Sequence, residues 1–428
     1  MNANNPLTIV MFGATGNLYA DKLAVSLFNL FTKELLPKDF TVFGFARRDL
    51  DDGDFQNLTK DAIEKKLPNF SAEKLQEFLL HVKYIQGDLE NVEDFKKLAE
   101  LLGKEDGKLG VCTNKLFYLA VPPSMYGKIF QNISGAGLTI TCSPEVSDAA
   151  GAWTRVLVEK PFGSDIEDAK RLDKMLGGLF DESQIFRIDH YLAYLAKGVV
   201  GEILRLRFAE DGTESKWNKE NIESVRIIFH EKDLVGRRAA FYDAIGAFRD
   251  VGQNHMLQML ALVAMENPLL PETGGIHTAR KNVLEKVKLS TGAKIVRGQY
   301  EGYLGEAGVR AESETETFFR ITLNVENPKW AGVPFMLEFG KALDESQVFI
   351  EVCSKDSATC MNFPVSDEHT LRDAYEKVFY DCILGDQTIF TSTGEVLAEW
   401  VITTEILNKF KSVPLKIYKK GIGADAIL

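Results

Sequence analysis

Cysteine is scarce in this chain: five in 428 residues, at positions 112, 142, 353, 360 and 382, with no C-x-x-C spacing among them. That odd, scattered set argues against a disulfide framework and against a structural zinc site, so reduced thiols and no bound metal are expected. The opening MNANNPLTIVMFG lacks a basic segment ahead of an apolar run, and nowhere is there an uncharged apolar stretch of the about 18 residues that crosses a bilayer. Export and membrane insertion are not expected; a cytoplasmic protein is. Positive charge is in deficit, with 50 Lys and Arg against 62 Asp and Glu and a formal net charge of −12. Without a basic stripe, nucleic acid is not an expected partner. Long repeats and low-complexity linkers are also missing. What is present is ordinary globular material, 45% apolar and 26% charged, in a length that suits two domains.

From Thr8 to about Phe186, short apolar runs (TIVMF, TVFGF, HVKYI, KLFYLAV and RVLVE) alternate with amphipathic segments such as LAVSLFNLFTKELL and VEDFKKLAELL. Alternation of this kind predicts a doubly wound parallel sheet with helices on both faces. Beyond residue 188 the helical NHMLQMLALVAM is followed by FFRITLNV, VPFMLEFG and VFIEV with little helix between them, which predicts a mainly antiparallel sheet. DAYEKVFYDCILG and TGEVLAEWVITTEILNKF read as terminal amphipathic helices, the second with Thr393 as its N-cap. The expected fold class is therefore α/β plus α+β, with a doubly wound domain at 1–187 and a larger α+β domain at 188–428.

The first strand runs into IVMFGATGNL, which sets Gly13 and Gly16 between a strand and a helix. In that context Gly13 lets backbone approach a pyrophosphate, Gly16 lets the helix pack closely on the strand, and the helix N-terminus offers N–H donors to the anion. Met11 occupies the place of the first glycine of the usual fingerprint. The second strand ends in Arg47 and Arg48, where a carboxylate would select NAD; guanidinium groups suit the 2′-phosphate of NADP. The expected cofactor segment of this Rossmann-like domain is Gly13, Ala14, Thr15, Gly16, Asn17 and Leu18, with Arg47 and Arg48.

Four separated stretches taken together, GATGNL, VEKPFG (158–163), RIDHYL (187–192) and RDVGQNHMLQML (249–260), resemble the glucose-6-phosphate dehydrogenase family. LAVPPSMY, WNKENIESV, GVPFMLEFGKAL and DAYEKVFYDCILGD extend the resemblance nearly end to end. It implies hydride transfer from C1 of glucose 6-phosphate to NADP, giving the lactone of the oxidative pentose phosphate pathway, in a homodimer joined through the antiparallel sheet. By the same resemblance His255 is the general base and Asp250 the carboxylate that orients it. Lys160 bridges substrate and nicotinamide, Lys341 is a second substrate lysine, His190, Tyr191 and Lys197 hold the phosphate, and Pro122 lies at the cofactor.

The chain also departs from the family. Asn17 stands where Asp is usual, Ala244 where a sugar-binding carboxylate is usual, Ser346 in place of an Arg, and the stretch 354–370 is short. In RIDHYLAYLAKG the triplet Tyr-Leu-Ala occurs twice and displaces the lysine by three residues. On a helix that insertion keeps Lys197 on the His190 face and moves it about 4.5 Å along the axis, so His190 and Tyr191 are expected to keep the phosphate while Lys197 reaches back; the alternative is that the second triplet replaces the first and displaces His190. These departures keep two other readings open: oxidation of a different sugar phosphate, and a noncatalytic NADP-binding regulatory subunit.

Overall fold

A computed structural model of the chain describes residues 5–140, 151–189, 192, 199–208, 213–292, 294–356, 360–364 and 374–428. Two compact units divide it: one of residues 1–193 with 372–392, the other of 194–371 with 393–428. The expected boundary at 187/188 falls six residues before this division. The expected second domain includes 372–392, which pack in the first unit.

The first unit holds β1 (Leu7–Phe12), β2 (Phe40–Ala46), β3 (Val82–Gln86), β4 (Asn114–Leu119), β5 (Thr154–Val158) and β6 (Ile185–Ile188). They lie parallel in the order β6-β5-β4-β1-β2-β3, and the short strand Phe390–Thr391 adds antiparallel to β6. β1, β4 and β5 are buried at every position, as strands covered on both faces must be. Phe12 stacks on Phe95 and Phe117 at centroid separations of 5.3 and 6.0 Å and meets Phe45 edge-on. Truncating such a ring to Ala removes about 3–5 kcal/mol. The chain leaves β1 towards β2 and β3 on one side and returns as β4 on the other, so β1 and β4 flank the point where the winding reverses.

The helix Ala374–Leu384 is fastened to this unit at both ends. Asn29 Nδ2 donates to Glu376 Oε1 at 2.8 Å and Lys33 pairs with the same carboxylate; Arg155 donates to the terminal carbonyls of Cys382 and Ile383. A cation at a helix C-terminus meets both the unpaired carbonyls and the dipole.

The second unit is built on β7 (Ile222–His230), β8 (Val287–Leu289), β9 (Val296–Tyr300), β10 (Phe318–Val325), β11 (Phe335–Gly340), β12 (Gln347–Ser354) and β13 (Cys360–Pro364). The order is β13-β12-β7-β11-β10-β9 followed by the strand Leu415–Tyr418, with β8 also on β10. Two pairings, β7 with β11 and β9 with the last strand, are parallel; the others are antiparallel. Along β10, Phe319, Ile321, Leu323 and Val325 are buried while Arg320, Thr322 and Asn324 are half-exposed. One face is thus covered and the other open, which produces the alternation.

The thiol expectation is overturned here: Cys353 and Cys360 form a disulfide, and Cys112 is disulfide-bonded as well. Cys353 and Cys360 stand directly opposite one another on β12 and β13, with Cα atoms 4.1 Å apart. Cross-strand register, invisible to a search for C-x-x-C, brings them together. Cys382 is free and buried.

Candidate active site

In the first unit the expected nucleotide residues follow successive strand ends. Met11 remains in the ladder, opposite Gly44 of β2 and Tyr118 of β4, so the strand continues through the place of the missing first glycine and turns at Gly13. Gly13 has φ +83°, and a Cβ there would lie 2.5 Å from the Ala120 carbonyl oxygen and 2.7 Å from Val121. Only glycine fits that close approach of the turns after β1 and β4. Gly16 N–H donates to Gly13 O at 2.9 Å. Helix begins at Asn17; Ala14 is buried, Thr15 and Leu18 are half-exposed, and Gly16 and Asn17 are exposed. This is the crevice at a topological switch point where open α/β sheets take ligands.

Arg47 and Arg48 follow β2, both exposed, and neither is in a salt bridge among the described residues. Tyr84 OH donates to the carbonyls of Ala46 and Arg48 at 2.9 and 2.7 Å, which fixes the backbone and leaves the guanidinium groups to solvent. Pro122, exposed, stands just beyond β4, and its carbonyl accepts from Met125 N–H. Lys160, half-exposed, follows β5 after Glu159. The strand-end pattern brings Gly13, Pro122 and Lys160 to the carboxyl ends of adjacent strands β1, β4 and β5.

In the second unit Asp250 and His255 share one π-helix, Phe248–Met256, and both are buried. Hydrogen bonds in a π-helix run between residues five apart, so the five-residue spacing that in an α-helix sends side chains to different faces here places them one turn above the other. The helix is fastened by two buried carboxylates. Glu316 accepts from Phe248 N–H at 3.0 Å. Burial pushes its carboxyl above the usual range, with that bond opposing. Glu399 accepts from Gln253 at 3.4 Å and Gln258 at 2.5 Å. Gly246, at φ +76°, breaks the preceding helix, and a Cβ there would lie 2.5 Å from the Glu316 carboxylate. Arg238 donates to Asp250 Oδ1 at 2.9 Å, and His255 N–H to Asn254 Oδ1 at 2.7 Å.

Lys341 follows β11, almost fully buried, with its ammonium paired to Glu231 at the end of parallel neighbour β7. It lies 6.0 Å from the Tyr242 ring centroid and 5.7 Å from that of Phe339. Burial, then the charges of Asp250, Glu316 and Glu231, push the Tyr242 hydroxyl far above the usual tyrosine range. Tyr242 therefore lies beside Lys341 and feels the Asp250 charge. Sequence reading missed Glu231, Tyr242, Glu316 and Glu399; a charged residue directly after an apolar strand was the available signal for Glu231.

Ala244 follows Asp243, a carboxylate that accepts from Arg310 Nε at 2.7 Å, Tyr303 OH at 3.2 Å and the Ser313 hydroxyl. Burial alone would raise Asp243; the bonds from Arg310 and Ser313 outweigh it and hold the carboxyl below the usual range. Ser346 Oγ accepts from Lys232 N–H at 2.9 Å. His190, Tyr191 and Lys197 lie outside the described residues.

The profile described as "Glucose-6-phosphate dehydrogenase, NAD binding domain" matches residues 10–200, and "Glucose-6-phosphate dehydrogenase, C-terminal domain" matches 204–370 and 353–425. The chain is 34% identical to "Glucose-6-phosphate 1-dehydrogenase 6, cytoplasmic" of Arabidopsis thaliana, over 97% of this chain and 89% of that protein. It is 31% identical to "Glucose-6-phosphate 1-dehydrogenase" of Chlamydia pneumoniae, over 95% and 90%. Among solved structures, a glucose-6-phosphate dehydrogenase in complex with glucose 6-phosphate superposes with TM-score 0.87 at 28% identity, covering 98% of this chain and 96% of that one. The enzyme from Mycobacterium avium superposes with TM-score 0.82 at 28% identity, covering 98% and 95%. With both domain profiles matched and full-length relatives above 30% identity, the chain belongs to the glucose-6-phosphate dehydrogenase family.

Proposed function

We propose that the protein is an NADP-linked glucose-6-phosphate 1-dehydrogenase that oxidises C1 of glucose 6-phosphate to the lactone. The observation that supports this reading is that buried Asp250 and His255 share one π-helix, fastened by two buried carboxylates. The His255 imidazole takes the C1 hydroxyl proton as the C1 hydrogen leaves with its electron pair, and Asp250 stabilises the imidazolium that forms. Lys341, released from Glu231 as substrate arrives, and Lys160 position the sugar. NADP, when bound, supplies the nicotinamide that accepts hydride. The Gly13 turn fits its pyrophosphate, and the exposed Arg47 and Arg48, without a salt bridge among the described residues, fit its 2′-phosphate. His190, Tyr191 and Lys197 supply the phosphate contacts.

The half-exposed Met336 and Phe349, with buried Ile228, on the open face of the eight-stranded sheet support a homodimer formed by isologous packing of that face. A cytoplasmic location rests on the Arabidopsis thaliana relative named so; no described helix is long and apolar enough to cross a membrane. The test is absorbance of reduced cofactor formed from NADP or NAD with glucose 6-phosphate and a panel of other sugar phosphates. Turnover is expected with glucose 6-phosphate and NADP. Preference for another sugar phosphate would reassign the substrate, and none with any would leave a nucleotide-binding regulator.

A further inference from the structure

Glu159 stands between the last residue of β5 and Lys160, and its surroundings are unusual for a carboxylate. Three tyrosines from three elements converge on it. Tyr118 OH, from β4, donates to Oε1 at 2.5 Å; Tyr375 OH, from the helix Ala374–Leu384, donates to the same carboxylate, and so does the backbone N–H of Lys160. Tyr126 OH, from the helix Tyr126–Gly135, fixes the Glu159 carbonyl at 2.9 Å. Among the described residues the carboxylate has no salt bridge, and the cation whose charge reaches it is Lys160. Glu159 is half-exposed, yet its carboxylate is drawn partly out of water without an ion-pair partner, which costs more than an apolar residue would. Structural economy does not explain it.

We propose that Glu159 is a positioning residue for Lys160: held by its tyrosine cage, it fixes the Lys160 backbone and serves as the resident counter-charge of the Lys160 ammonium. This rests on the reading of Lys160 as the lysine shared by substrate and nicotinamide. The chemistry of the cage supports the anionic form, because all three groups that reach the carboxylate are donors and an ionised carboxylate only accepts. Burial raises the Glu159 carboxyl, while the bonds from Tyr118 and Tyr375 and the charge of Lys160 oppose that rise. Burial, and then the Glu159 charge, push Tyr118 and Tyr126 far above the usual tyrosine range, so both stay protonated donors throughout the working pH range. An anion beside an ammonium favours the charged lysine. The cage also gives the return segment a role, since Tyr375 links its helix to the turn that carries Lys160.

The test is the pH profile of kcat/KM for Glu159→Gln, which keeps the shape and removes the charge. The alkaline limb should move to lower pH, because Lys160 loses the charge that keeps it protonated, and kcat should fall about tenfold, the scale of one charge-assisted contact. Tyr118→Phe keeps the carboxylate and should lower kcat less, with the alkaline limb in place. An unchanged kcat and alkaline limb in a folded Glu159→Gln protein would overturn the proposal. Where Glu159→Gln does not fold, Glu159→Asp decides: it keeps the charge but withdraws from the tyrosines, so kcat should fall with the limb unmoved, and a wild-type kcat would refute positioning. Lys160→Gln separates the two readings. Full activity in that variant removes the role of Lys160 itself, whereas an inactive Lys160→Gln beside an unaltered Glu159→Gln removes only the role of Glu159.

Discussion

In the first unit the residues read as nucleotide contacts stand at successive strand ends, Gly13 after β1, Arg47 after β2, Pro122 after β4 and Lys160 after β5; in the second, Asp250 and His255 share a single π-helix and Lys341 stands more than eighty residues away. The difference is one of how position is specified. A parallel sheet places every strand's carboxyl end on one edge, so chain order alone gathers the first set. The second set depends on an irregular helix and on carboxylates from distant segments, Glu316 at its start and Glu399 at its middle. The first arrangement is carried by topology and the second by a few buried hydrogen bonds.

The largest effect that bears on this contrast is expected at His255. His255→Ala should lower turnover by about a hundredfold or more, the scale of losing a general base, while NADP affinity, proposed to reside in the other unit, stays within about twofold in a titration of cofactor fluorescence. Unaltered turnover would return His255 to the core. Next, Lys197→Ala should raise KM for glucose 6-phosphate about ten- to a hundredfold, since a charge-assisted contact contributes about 1.5–3 kcal/mol. Deleting Tyr194–Ala196 restores the family spacing. If that deletion abolishes activity while Lys197→Ala is harmless, Lys197 does not read the phosphate.

The β12–β13 disulfide belongs to the second unit alone. Replacing Cys353 and Cys360 by serine frees an eight-residue loop in the unfolded chain and should cost about 2 kcal/mol in denaturant midpoint analysis, with kcat unchanged. Equal stability would mean that strand register holds the hairpin without the bond. Smallest is the effect at β2: replacing Arg47 and Arg48 by Ala should weaken NADP about tenfold and NAD little, because only NADP presents the 2′-phosphate. Equal losses would show that the arginines do not read that group.

Legibility in the sequence divides along the same line. β1, β4 and β5 were visible as apolar runs because strands covered on both faces carry no polar alternation, and the glycine turn was visible because Gly13 is forced by the Ala120 carbonyl. The antiparallel segments β10 to β12 were readable, whereas β7 and the strand Leu415–Tyr418 were not singled out. Asp250 and His255 were assigned through a resemblance, and their shared π-helix could not be read because periodicity rules assume an α-helix. Glu231, Tyr242 and Glu399 escaped because they act across long sequence separations, Glu399 meeting Gln258 from 141 residues away. The pairing of Cys353 with Cys360 escaped for the same reason in miniature: it is set by register across a hairpin.

The proposed hydride transfer from C1 of glucose 6-phosphate to NADP is tested most directly with glucose 6-phosphate carrying deuterium at C1. After a single turnover with NADP, mass spectrometry of the reduced cofactor should find one deuterium in the nicotinamide, with wild-type protein and not with His255→Ala at equal times. Reduced cofactor without the label, or none formed under single-turnover conditions, would contradict the account.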